Sequence, residues 1–188
     1  MTSILTRRVV ALFLATLASV ASAETVVVDF ETAVTVYPDE RPNRIERWVE
    51  KGVTFELAHA PRSTKAKGLI MFFPHLASGH KGIVSAMALE PIPVRATFPA
   101  PVSSVTISFW GSTGTPAVLE AFNAEGKLVD SSKLVSVPSR KSAKEPVPIF
   151  TMTVSGEHIA YVEFSGPRES EFLAADEVRF VPADAGKK

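Results

Sequence analysis

The chain has no cysteine. That excludes a disulfide framework, a thiol nucleophile, a thiolate metal site and a lipid anchor attached through cysteine. It has no excess of either charge: twenty Lys and Arg stand against twenty Asp and Glu. The basic footprint of a nucleic-acid binder is therefore missing. Helical periodicity is almost absent after the first two dozen residues, and no repeat recurs at a fixed period. No apolar run reaches the roughly 20 residues that a spanning helix needs. The sequence also contains no G-x-S-x-G and no H-E-x-x-H, which removes the commonest serine-hydrolase and zinc-peptidase signatures.

What is present begins with a targeting pattern. Arg7 and Arg8 precede an apolar run from Val9 to Val20, and Ala21-Ser22-Ala23 follows as a small-x-small cleavage site. That order of charge, apolar run and small residues is that of a secretory signal peptide over residues 1–23. The mature chain would then be a single domain over residues 24–188, long enough to bury a core without staples. Without Arg7 and Arg8, eighteen basic residues remain against twenty acidic ones, so the mature chain stays near neutrality. The expectation is an exported protein, periplasmic or secreted, with no membrane span in its mature form.

The mature chain reads as short strands. Val53, Phe55 and Leu57 alternate in GVTFEL, and Val105, Ile107 and Phe109 alternate in SVTISFW. Further strands are expected at Thr25–Phe30, Gly68–Phe73, Val94–Phe98, Ala117–Phe122, Leu128–Val137, Val147–Val154, His158–Phe164 and Leu173–Val181. Asn123 to Gly126 reads as a hairpin loop, and Ser155-Gly156-Glu157 as a second tight turn. About ten strands at spacings of roughly 8–12 residues predict a sandwich or barrel. Fourteen prolines, many at strand edges, argue further against helices. The predicted fold is an all-β jelly-roll sandwich of two antiparallel sheets. Its core is expected to draw on Val105, Ile107, Phe109, Phe122, Phe150, Met152, Val162, Phe164, Val178 and Phe180. Tyr37–Arg47 and Pro138–Pro146 read as exposed connections.

Acidic residues stand at both ends of this domain, Asp29-Phe30-Glu31 near the start and Asp176-Glu177 near the finish. By parity Asp176 shares the core-facing side with Val178 and Phe180. Domain termini tend to lie close together, so the carboxylates of the two ends could converge. An unpaired buried carboxylate is costly and calls for a cation or protonation, and hard oxygen ligands suit Ca²⁺. The alternatives are carboxylates solvated at strand ends, or paired with a base such as Arg179.

The order D-F-E, W-V-E-K-G-V-T-F (Trp48–Phe55), S-V-T-I-S-F-W (Ser104–Trp110), A-V-L-E-A-F-N-A-E-G-K-L-V (Ala117–Val129), I-A-Y-V-E-F-S-G (Ile159–Gly166) and A-A-D-E-V-R-F (Ala174–Phe180) resembles the galactose-binding-like jelly-roll domains of exported bacterial proteins. Those domains resemble carbohydrate-binding modules. The resemblance covers nearly all of the mature chain. It implies a structural Ca²⁺ held by Glu31 and Asp176, with Asp29 as a weaker ligand, and a glycan or cell-surface polymer as partner.

A second stretch, Phe73 to Gly82, holds His75, Ser78, His80 and Lys81. It reads either as a polar ligand loop on the rim of the sandwich or as an ordinary glycine-rich connection. Trp110 lies on the parity opposite Ile107 and Phe109; it either stacks on a sugar ring or packs under a loop. Glu120 and Glu163 lie in strands, and each is expected to face water on the outer side of a sheet. The function these readings favour is a non-catalytic exported binding module, with a structural or adhesive envelope protein as runner-up. A hydrolase using His75 or His80 is the third reading.

Overall fold

The structure, a computed structural model, describes residues 24–33, 44–62, 70–74, 80–85, 92–111, 116–138, 142, 145–165 and 173–183. The predicted signal peptide lies outside the described residues. So do His75 and Ser78.

Eleven strands make up the described chain: β1 (Val26–Val28), β2 (Arg44–Ile45), β3 (Trp48–Glu50), β4 (Val53–Leu57), β5 (Ile70–Pro74), β6 (Lys81–Ser85), β7 (Val94–Gly111), β8 (Ala117–Phe122), β9 (Leu128–Leu134), β10 (Phe150–Ser165) and β11 (Leu173–Pro182). No helix occurs among the described residues. The strand order is β2-β5-β6-β11-β7-β10-β8-β9, with β1 on β11 and the β3–β4 hairpin on β7. Every pairing is antiparallel. The fold is an all-β sandwich, as the alternation predicts.

Two predicted boundaries dissolve. Val94–Phe98 and Ser104–Trp110 are halves of one strand, β7. Val147–Val154 and His158–Phe164 likewise fall largely within one strand, β10. The expected turn at Ser155-Gly156-Glu157 is instead a break in register between Ser155 and Ile159, where His158 takes φ 61°. Opposite it, β7 carries Pro99 and Pro101. A bulge kinks a strand without ending it, so β7 and β10 bend together and run from one layer into the other. Their first and last halves take different neighbours. β4 pairs with Val94–Thr97, whereas β11 pairs with Val102–Gly111. The bend is tight: a Cβ on Gly156 would stand 2.2 Å from Cγ1 of Val129, so only glycine fits there without displacement.

The interior is one apolar cluster fed by both layers. Val53 and Phe55 of β4, Ile107 and Phe109 of β7, Leu119 of β8, Val162 and Phe164 of β10 and Val178 of β11 are all buried in it. Each such side chain contributes roughly 1.5–3 kcal/mol on burial. Phe122 is a correction to the expected core. Ala117, Leu119 and Ala121 hold the inward parity of β8, so Phe122 falls on the outward face. Phe150 packs against the cluster but is only partly buried. Predicted strand Leu128–Val137 ends at Leu134, and Val135 is 85% exposed.

β1 and β11, the first and last strands, are paired through Val26–Phe180 and Val28–Val178. The β3–β4 hairpin turns on Lys51 and Gly52, both at positive φ, the conformation that two-residue hairpin loops prefer. Lys51 Nζ then donates to the carbonyl of Val27, tying this hairpin to β1.

Candidate functional site

Two clusters of polar side chains face outward. The first lies where the chain ends meet. After β1 the backbone turns at Phe30, which takes φ 59°, and Ala33 N donates to Phe30 O at 2.9 Å. A positive φ at a non-glycine residue costs of order 1–3 kcal/mol. Phe30 offsets this by full burial and by an edge-on contact with Phe55, ring centroids 5.0 Å apart at 71°, a geometry worth roughly 0.5–1.5 kcal/mol beyond burial. With Phe30 inside, Asp29 and Glu31 flank it on the rim of an outward pocket. Asp29 Oδ1 accepts from Glu31 N at 3.3 Å.

Asp176 reaches that pocket by a bulge. Ala175 pairs with Phe109 and Glu177 with Ser108, so the register slips by one residue at Asp176. Parity counted back from Val178 and Phe180 put Asp176 on the core side. The extra residue overturns that count, because Ala175 and Val178 both point inward and the side chain between them is re-aimed. Asp176 is buried, at 6% exposure, and its Oδ2 lies 3.7 Å from His80 Nδ1. Glu177 and Arg179 stand beside it as an ion pair at 2.5 Å, and Ser108 completes the floor.

Lys81 of β6 reaches Glu31 at the edge of this pocket. Its Nζ donates to Glu31 O at 2.6 Å and its backbone N to Glu31 Oε1 at 3.2 Å. Lys81 and Gly82 therefore belong to a strand and not to the predicted loop, and the described part of that stretch faces the acidic ends. The structure thus brings Asp29, Glu31, Asp176, His80 and Lys81 into one neighbourhood. Among the described residues no group of three or more His, Asp or Glu converges closely enough to hold a metal ion. The donor set is nonetheless of the hard-oxygen kind that suits Ca²⁺, and the Lys81 ammonium already draws on the Glu31 carbonyl as a cation would.

Trp110 is not at either outward cluster. It is 2% exposed and packs with Val84, Ala174 and Val147 over the β6–β11 side of the sheet. Gly82 makes room for it, since a Cβ there would come 3.1 Å from Trp110 Nε1. A ring so enclosed has no free face for a sugar, which corrects its place among the expected ligand residues.

The second cluster covers the outward face of the layer formed by β4, β7, β10, β8 and β9. The registers Glu56↔Arg95, Arg95↔Glu163, Glu163↔Glu120 and Glu120↔Ser131 place five residues in one row across five strands. The adjacent row runs Thr54, Thr97, Tyr161, Phe122 and Leu128. Arg95 donates from Nε at 2.9 Å and from NH2 at 2.6 Å to Glu163 Oε1. Its guanidinium also lies 4.4 Å from the Tyr161 ring centroid. On the other side Tyr161 stacks on Phe122, centroids 5.0 Å apart at 12°. Phe122, Tyr161 and Arg95 thus form a three-layer stack, with Glu163 fixing the outer guanidinium. Planar stacking and charge-assisted hydrogen bonds both hold arginine in one orientation. Sequence reasoning singled out Glu120 and Glu163 but missed Arg95 and Tyr161. Their signal was available, because in VRATF and HIAYVEF they take the parity opposite the core residues.

No protein-family model matches the sequence, and no curated protein matches it. Solved structures do resemble it in fold. The K1 cleaved adhesin domain of Lys-gingipain from Porphyromonas gingivalis W83 superposes with a TM-score of 0.50 at 12% identity, over 85% of this chain and 99% of that one. A DUF4465 family protein from Bacteroides caccae gives 0.48 at 11% identity, over 84% and 99%. The module CsCBM6-3 from Clostridium stercorarium, solved with cellobiose, gives 0.36 at 12% identity, over 69% and 93%. The likeness to the adhesin domain shows a shared fold.

Proposed function

We propose that this chain is an exported, non-catalytic binding module that takes a glycan, or a related cell-surface polymer, on the outward face of the β4-β7-β10-β8-β9 layer. The observation that carries the reading is the Phe122–Tyr161–Arg95 stack with Glu163 and Glu120 beside it. Folding alone does not require a half-buried polar and aromatic array on the water side of a sheet. A rigid surface of aromatic carbon edged by fixed donors and acceptors suits a sugar, which offers C–H faces and hydroxyls together. The gingipain domain that shares this fold is an adhesin domain, which agrees with a binding role. Export rests on Arg7, Arg8, the apolar run and Ala21-Ser22-Ala23.

The proposal includes a structural Ca²⁺ at the pocket where the ends meet. Glu31 and Asp176, with Asp29, would have to draw closer together than they stand to hold it through carboxylate oxygens. When bound, the ion supplies charge neutralisation that fastens the end of β1 to the bulge of β11. Lys81 and His80 border the same oxygens, so the ion would take over contacts that Lys81 makes with Glu31.

Calorimetric titration of the purified protein with soluble oligosaccharides tests the reading. Saturable binding that weakens at least tenfold in Arg95→Ala supports it. Heatless titrations, together with recovery of one envelope protein in a pull-down, would replace it with the adhesive alternative.

A further inference from the structure

We infer that the outward sheet face selects neutral sugars over uronic acids, and that Glu120 is the residue that sets this preference. The inference rests on the binding-module reading and names the ligand class of the same face. In the central row three carboxylates, Glu56, Glu163 and Glu120, accompany a single cation, Arg95. Its charge is already paired: two of its N–H donors, on Nε and NH2, go to Glu163 Oε1, and its plane lies on Tyr161. A sugar carboxylate approaching the stack would meet a guanidinium whose charge Glu163 already offsets. It would meet the carboxylate of Glu120, directly opposite Glu163 on the neighbouring strand.

The further cations of this face stand at its margins. Arg47 donates to Thr54 Oγ1 on β4, and Lys133 of β9 pairs in register with Val118 of β8, one row beyond Glu120 along the strand. β4 lies three inter-strand steps from β8, about 14 Å at roughly 4.8 Å per step, beyond the roughly 8 Å screening length of physiological salt. Lys133 is exposed on the outermost strand, where its charge is shared with water. Like charges side by side across a strand pair are unfavourable on their own. The juxtaposition of Glu120 and Glu163 therefore has a use when one carboxylate is held by arginine and the other is left to accept from a ligand. Two hydroxyls of a neutral pyranose can donate to the oxygens of Glu120 while the ring lies against the edge of the Tyr161–Phe122 stack. A uronate loses that contact and adds repulsion, so the same geometry that accepts one class excludes the other.

The test is calorimetric titration of the purified protein with cellobiose, β-1,4-galactotriose and a galacturonic acid trimer, repeated for Glu120→Gln and Glu120→Lys. Unchanged thermal unfolding of both variants verifies that the fold is intact. The expected result is binding of a neutral oligosaccharide by the native protein, with no heat from the uronate. Glu120→Gln should weaken neutral binding about tenfold, the loss of one hydrogen bond to a charged group. Glu120→Lys should weaken it further and admit the uronate. Neutral binding equal in all three proteins would overturn this inference and leave the module reading standing. Preference of the native protein for the uronate would overturn the ligand class. Absence of heat with every sugar would sink the module reading itself.

Discussion

Gly156→Ala puts a methyl group where Val129 already stands. The added Cβ would lie 2.2 Å from Val129 Cγ1, with Val129 Cβ at 3.6 Å. Real Cβ atoms do not approach so closely, so a shift is forced. Valine is branched at Cβ and stiff at χ1, and Val129 is partly buried against the core, so the shift must involve backbone or a strained rotamer. Overpacking of this kind costs about 1–3 kcal/mol. At roughly 2–4 °C per kcal/mol for a domain of this size, the melting temperature should fall by about 2–12 °C. Trimming the obstruction tests the cause. In Gly156→Ala/Val129→Ala the clash is gone, and the double variant should be more stable than the sum of the single losses predicts, by 0.5 kcal/mol or more. Thermal unfolding followed by circular dichroism reads all four proteins. An unchanged melting temperature in Gly156→Ala, or strict additivity in the cycle, would refute the bend as described and with it the continuity of β10.

Three further outcomes follow from the same structure. Asp176→Ala should lower the melting temperature. Millimolar Ca²⁺ should raise the stability of the native protein and not that of the variant, by about 2.7 kcal/mol at a hundredfold excess over Kd; identical unfolding curves in EDTA and Ca²⁺ would rule the cation out. Lys81→Met removes an ammonium from Glu31 O at a solvent-exposed site and should cost about 0.5–1.5 kcal/mol, the net range for a hydrogen bond, measured by urea titration; no change would mean that water replaces it at no cost. Trp110→Ala should cost about 3–5 kcal/mol as a buried large-to-small change while leaving oligosaccharide affinity intact; lost affinity with normal unfolding would return Trp110 to the binding face.

The architecture was legible wherever alternation carried it. Val53-Thr-Phe-Glu-Leu57 and Val105-Thr-Ile-Ser-Phe109 present apolar residues at every second position, and both lie in the core as that period requires. What escaped were the interruptions. A bulge at Asp176 and a break at Gly156 each add residues without ending a strand, and nothing local separates such a kink from a turn. The parity of Asp176, counted from Val178, was therefore inverted, and β10 was cut into two strands. Phe122 was drawn into the core by its hydrophobicity, although Ala117, Leu119 and Ala121 already held the inward parity. Within the second cluster, parity alone exposes Arg95, Tyr161 and Glu163. Their meeting depends on β7 and β10 being neighbours, and pairing between distant segments is not written in either segment alone. The approach of the acidic ends was readable from a general tendency of termini to lie together. The intrusion of Lys81 was not, because it opens β6, whose first two residues read as the end of the Phe73–Gly82 loop.

The central claim is that the face bearing Phe122, Tyr161, Arg95 and Glu120 binds sugar. The most direct test is backbone amide mapping by nuclear magnetic resonance as cellobiose or β-1,4-galactotriose is added. The account predicts progressive shifts along Arg95–Thr97, Glu120–Phe122 and Tyr161–Glu163, with the pocket of Glu31 and Asp176 unmoved. Shifts confined to that pocket, or none in any strand of this layer, would contradict it.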